Sequence, residues 1–136
     1  MFFHKHRVRF YETDKMGVVH HSSFVKWFED ARIEFFRNLG LNYKLIEDAG
    51  FNLAVAEING RFLEPVLFDE LILIKVSIQK FNKIYMKFNY VVYNQKNEVV
   101  LKGYTKHIVV GRDLKKAKLP EEFMKKLNSL LRSGRD

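Results

Sequence analysis

Asp14 is the acid best placed for chemistry in this sequence. It stands within RVRFYETDKMGVVHHS, Arg7 to Ser22, directly ahead of the apolar run FVKWFEDARIEFFRNLG. Alternating residues up to Tyr11 predict a strand, Thr13 and Asp14 are turn or cap types, and Gly17 permits a tight bend. Ser22 or Ser23 is then the expected cap of the long helix that follows. A carboxylate beside unpaired helix-terminal N–H groups can attack or deprotonate water while those donors stabilise an oxyanion. Spacing alone also permits a purely structural Asp14. Glu12 is the next acid in reach, and the apolar Gly17, Val18 and Val19 can bring backbone close to a ligand and exclude water.

The histidines read differently. His20 and His21 are metal-ligand types beside Asp14, but adjacent histidines point to different faces and no zinc-like spacing occurs, so no metal is expected. His4 and His6 read as exposed residues of no chemical role, and His107 as a buried, hydrogen-bonded strand histidine or an interface residue, not a ligand. The chain lacks a G-x-S-x-G elbow, a P-loop and a G-x-G-x-x-G turn, which removes the sequence case for serine hydrolases, nucleotide hydrolases and dinucleotide enzymes. It also lacks an RNP-like motif, so nucleic acid is not an expected partner.

At 136 residues with 47% apolar content, the chain is expected to form one domain, residues 1–136, with a sizeable core. Thirteen Phe and a single Trp make that core, and any pocket, rich in rings. No cysteine is present, so a disulfide scaffold and a cysteine nucleophile are excluded. The first residues show no secretory pattern and the apolar stretches are short, so a cytoplasmic location without membrane insertion is expected. The net charge is +8, and residues 112–136 hold eight Lys or Arg against four acids, a basic tail expected to be a solvated helix.

Helical spacing of Phe24, Phe28, Ala31, Phe35 and Leu39, widened by Val25, Trp27, Ile33 and Phe36, predicts a helix buried on most sides and ended by Gly40. Lys26 with Asp30, and Glu29 with Arg32, are spaced to pair on its surface. A short helix over 42–49 closes at Gly50. Extended segments follow at Leu53 to Phe68, Leu71 to Ile78, Ile84 to Tyr93 and Val99 to Val110, with breaks short enough to join antiparallel neighbours. Pro120 opens a last amphipathic helix. The order predicts an α+β fold, one antiparallel sheet wrapped around a long central helix.

Arg7-Val8, Thr13-Asp14, Gly17-Val18-Val19 and Ser22 together resemble the signature of the 4-hydroxybenzoyl-CoA thioesterase family. Trp27-Phe28-Glu29 with Ala31-Arg32 and Glu34 resembles its YbgC-like acyl-CoA thioesterase branch, and Pro65, Asp69, Thr105-Lys106-His107 and Leu119-Pro120 continue the pattern. The resemblance implies the hotdog fold and hydrolysis of an acyl-CoA to a carboxylic acid and CoA, without any cofactor beyond the CoA of the substrate. It implies Asp14 as general base or nucleophile and His21 as a second catalytic position. It places the substrate along Gly17, Val18, Val19 and His20, with oxyanion donors from the Gly17–His21 backbone. The chain departs from the commonest pattern at Phe10, His20 and Ser23, positions bearing on acyl preference. The resemblance also implies self-association as a dimer or tetramer. Two other readings stay open: action on acyl-carrier-protein thioesters or acyl binding without turnover, and a basic nucleic-acid or membrane-surface module.

Overall fold

The computed structural model describes residues 2–133. Met1, and the charges of Arg135 and Asp136 counted in the basic tail, lie outside the described residues. Five strands form one antiparallel sheet: β1 (Phe2–Arg7), β2 (Phe51–Phe62), β3 (Leu71–Phe81), β4 (Tyr85–Tyr93) and β5 (Val99–Gly111), in the order β1-β3-β4-β5-β2. Strict alternation decides the faces. Ile72, Ile74, Val76, Met86, Phe88, Tyr90 and Val92 are buried on one side, with half-exposed residues between them on the other.

The inner face wraps around α1 (Ser23–Asn38), which touches both edge strands, β1 and β2, as well as β3. Trp27, Phe28, Ala31, Phe35 and Phe36 form its buried stripe, and each large ring removed from water contributes on the order of 1.5–3 kcal/mol. The Phe28 ring lies flat on Tyr90 of β4, 3.9 Å away and 4° from parallel. Gly103 of β5, the register partner of Tyr90, leaves the space this stack needs: a Cβ there would sit 2.7 Å from Phe28 and 2.1 Å from the Asn59 carbonyl.

Several local expectations are corrected. The first strand ends at Arg7, not Tyr11, because Phe10–Glu12 turn into one tight 3₁₀ turn. The link after Phe62 does not join neighbours: β2 crosses to the far edge and pairs with β5, while β3 pairs with β1 and β4. Val25 is 42% exposed, so α1 keeps one wet side. On that helix Arg32 donates to the Tyr90 hydroxyl, and the ion pair formed is Glu34 with Arg37. Leu39 caps the helix, and Gly40 follows in the left-handed region at φ 82°. The basic tail is not simply solvated either. Leu127 of α3 (Glu121–Ser133) is fully buried, and Phe123, Met124, Leu130 and Leu131 pack on the core. The short helix α2 (Tyr43–Asp48) keeps the expected cap, Asn42 accepting the Lys44 N–H.

Candidate active site

Asp14 begins a miniature hairpin. Thr13 bridges to Val19, the Asp14 N–H donates to the Val18 carbonyl at 2.8 Å, and Gly17, at φ 77°, closes the turn onto the Asp14 carbonyl at 3.0 Å. The Met16 and Val18 N–H groups both donate to Asp14 Oδ1, at 2.8 and 3.1 Å. One carboxylate oxygen is therefore anchored, and Oδ2 has no partner among the described residues. The side chain is exposed in the single chain, so the water exclusion expected from Gly17 to Val19 is not supplied by this chain alone. Val19 is buried and ties the loop to the Val66 carbonyl, while the Gly17 carbonyl accepts the Phe68 N–H.

The backbone donors divide sharply. The N–H groups of Gly17, Val18, Val19 and His20 are committed to Asp14, Val66 and Glu12. Those of His21 and Ser22 have no acceptor among the described residues. Neither serine caps α1. Ser22 makes no side-chain cap bond, and Ser23 is buried with its hydroxyl donated to the Glu12 carbonyl at 3.1 Å. Two free amides just ahead of a helix N-terminus that no side chain caps can receive negative charge, and they lie in the same loop as the half-anchored carboxylate. The His20 and His21 rings are exposed, and His21 packs edge-on against Phe62 of β2.

Sequence spacing missed the residue that holds this loop in place. Glu12 is 5% exposed, and its Oε1 accepts the Arg9 N–H at 2.7 Å and His6 Nε2 at 2.8 Å. Oε2 accepts Trp27 Nε1 at 2.8 Å, and the Glu12 carbonyl accepts the His20 N–H at 2.9 Å. Burial pushes the carboxyl up, but donation from Arg9, His6 and Trp27 outweighs it and holds the group below the ordinary carboxylate range. His6 is thus an inward-facing partner of Glu12, not an exposed bystander, and His4 shares its face. An acid two residues before Asp14 and a lone Trp in the helix were the available signals.

A second polar group lies beneath the middle of α1. Arg32 donates to Tyr90 Oη at 3.2 Å, Tyr90 pairs with Thr105 Oγ1 at 2.6 Å, and Thr105 pairs with His107 Nε2 at 2.8 Å. Burial, reinforced by Arg32, pulls the His107 imidazole down to about 4. The Leu53 carbonyl opposes that shift without completing a hydrogen bond to the buried Nδ1. His107 and Arg32 line a cavity of about 330 Å³ that opens beside the β2 edge between Tyr43, Asn52 and Val55. A larger cavity of about 660 Å³ lies at the C-terminal end of α1, among Phe35, Leu39, Ile78 and Leu131, and holds neither Asp14 nor His21.

A five-stranded antiparallel sheet curled around one long helix, with an acid in the loop before that helix, defines a hotdog protein. The chain belongs to the Thioesterase-like superfamily, whose pattern matches residues 8–127. A protein of Aquifex aeolicus (strain VF5), provisionally named an esterase, is 31% identical over 126 residues, covering 93% of this chain and 97% of its own. Bacillus subtilis (strain 168) YneP, provisionally named an acyl-CoA thioesterase, is 30% identical over 106 residues, 78% of this chain and 77% of that one. The crystal structure of the DHNA-CoA thioesterase from Staphylococcus aureus superposes with a TM-score of 0.87 at 27% identity, covering 98% of this chain and 95% of the other.

Proposed function

We propose that this chain hydrolyses acyl-CoA thioesters to a carboxylic acid and CoA at Asp14. The observation that carries the reading is a carboxylate with one anchored oxygen in the same loop as the two unpartnered amides of His21 and Ser22. In the base mode the free oxygen takes a proton from water as the water oxygen bonds to the thioester carbon; in the nucleophile mode it bonds to that carbon itself. Either way the carbonyl oxygen gains charge beside the helix N-terminus, the C–S bond breaks, and the CoA thiolate leaves and is protonated; in the nucleophile mode water then cleaves the acyl-Asp14 anhydride, releasing the carboxylic acid and restoring the carboxylate. The relatives named for CoA thioesters support the substrate class. No cofactor beyond the CoA of the substrate takes part, and the cysteine-free composition supports a cytoplasmic setting.

The proposed unit is a dimer joined through β2. That strand is an edge of 12 residues with Ala54, Val55, Ala56 and Glu57 all exposed, an open ladder that a second copy can close. An antiparallel β2–β2 pair sets the Asn52 end of one copy opposite the Phe62 end of the other. The Arg32–Tyr43–His107 cavity of one copy then adjoins the His21 loop of its partner and supplies acyl space and shelter from water. Two such dimers pairing through their helix-bearing sides make the proposed tetramer. An acyl-CoA panel assayed by released thiol, with matched acyl-carrier-protein substrates, tests the reading. Turnover on CoA esters that falls at least about a hundredfold in Asp14→Asn supports it, the lower range for loss of a general base; an inactive wild type on every ester overturns it.

A further inference from the structure

The charge of this protein is sorted by face. At the outward strand positions, Lys5 of β1, Lys75 and Lys80 of β3, Lys87 of β4, Lys102 of β5 and Arg61 of β2 have no ion pair among the described residues. The register places them in rows across the sheet: Lys75, Val91, Lys102 and Arg61 are successive partners, as are Lys80, Lys87, Lys106 and Glu57. Only Lys106 is neutralised in these rows, by Glu57 at 3.4 Å. Sequence order hides this, because each lysine is isolated by inward residues and the basic tail draws the eye instead.

We propose that the outer sheet face is a docking surface for an anionic lipid bilayer. A second copy of this chain does not fit there, since the cations of two such faces would oppose one another. Nucleic acid fits poorly for two reasons. The rings on the face are already engaged: Lys87 and Lys106 lie over Tyr104 at 4.5 and 5.5 Å, Glu57 accepts the Tyr104 hydroxyl, and Phe3 packs on Tyr93 at 6.2 Å. Bases therefore have few free platforms on which to stack. The sheet also curls away around α1, so this side is convex and projects no helix or ribbon that would enter a groove. A fluid surface of negative headgroups needs neither feature, only unpaired cations spread over a broad face. No helix among the described residues is long and apolar enough to cross a membrane, so the contact is peripheral. It brings the chain to the surface where amphiphilic acyl compounds collect, and it does not rest on the thioesterase reading.

The test is co-sedimentation of the full chain with vesicles of phosphatidylcholine alone and of equal parts phosphatidylcholine and phosphatidylglycerol, across a salt series. Binding only to the anionic vesicles, weakening with salt, is expected. Neutralising Lys5, Lys75 and Lys102 together (each Lys→Gln) should weaken it about a hundredfold, at roughly fivefold per lysine. The control Lys44→Gln, Lys125→Gln and Lys126→Gln removes the same charge from the helices and should leave binding near wild type. Both triple variants should keep the wild-type melting temperature and hydrolysis of a soluble short-chain ester. Equal loss in the two triples would show net charge acting instead of a face, and overturn the proposal. So would absence of vesicle binding at low salt, or tight binding of a single-stranded oligonucleotide in its place.

Discussion

Glu12 and Trp27 are joined by a 2.8 Å hydrogen bond from the indole Nε1 to Oε2, and through it the turn before the Asp14 loop is fastened to the first buried ring of the central helix. The geometry makes Glu12 a candidate positioning residue: both of its oxygens accept hydrogen bonds, while Asp14, two residues on, keeps one oxygen open. Glu12→Gln puts an N–H₂ where a donor already points, at a cost of about 1–3 kcal/mol for the unsatisfied group. Its effect on catalysis should fall mainly on kcat, with KM little changed, because the loop and not the binding surface is loosened. The depressed carboxyl also stabilises the fold above the ordinary carboxylate range, and that contribution is lost as pH falls through its folded value. Acid unfolding of Glu12→Gln should therefore begin from lower stability and show a shallower slope; a variant with unaltered kcat removes Glu12 from this role.

His21 supplies a backbone donor, and side-chain truncation leaves that donor in place. His21→Ala should therefore reduce turnover less than Asp14→Asn, by under about tenfold against at least about a hundredfold. Steady-state kinetics of both variants on one acyl-CoA decides it. Equal losses would assign the imidazole itself to the reaction.

His107 makes stability depend on mild acid. Above pH 6.5 the imidazole is neutral in both states; between 6.5 and about 4 the unfolded chain takes up a proton that the folded chain refuses, so stability falls as pH falls. The full loss is about 3 kcal/mol for a shift of this size. Denaturant melts across that window should show the slope in the wild type and a shallower one in His107→Gln, the remainder coming from His4, whose imidazole burial also holds down. A pH-independent wild type would contradict the buried neutral histidine.

Gly103→Ala tests the packing of α1 on the sheet. The new methyl meets the Asn59 carbonyl at 2.1 Å and the Phe28 ring at 2.7 Å, so β2 or the Phe28–Tyr90 stack must move. Overpacking of this kind costs about 1–3 kcal/mol, and the contact with backbone puts this site at the upper end. Thermal melting followed by circular dichroism measures it.

Assembly through β2 predicts that Ala56→Lys, at the irregular step between Val55 and Glu57, sets two new cations against each other and splits the dimer. Light scattering should then report a monomer, and turnover should fall with it. A fully active monomer would refute the shared cavity, whereas a stable dimer would correct only the tetramer.

Much of this fold is written locally. The β-branched run of Leu71 to Ile78 marks a strand, the alternation of Ile84 to Tyr93 sets two faces on another, and the Phe24-to-Leu39 spacing sets a helical stripe, so α+β order, helix and strands are readable from local pattern. Asp14, Gly17 and the helix start are equally local, since a turn and a helix terminus need only neighbouring residues. Tertiary structure decided what depends on distant partners. Which strand lies beside β2 is set by the whole sheet, and a short link after Phe62 reads like a hairpin although it spans the sheet. The bonds of Glu12 gather residues 6, 9, 20, 23 and 27 at one point, and no periodicity encodes such a meeting. The loss of a Ser23 cap follows from it, because the Ser23 hydroxyl turns to Glu12, while the amides left without an acceptor, those of His21 and Ser22, lie just ahead of the helix.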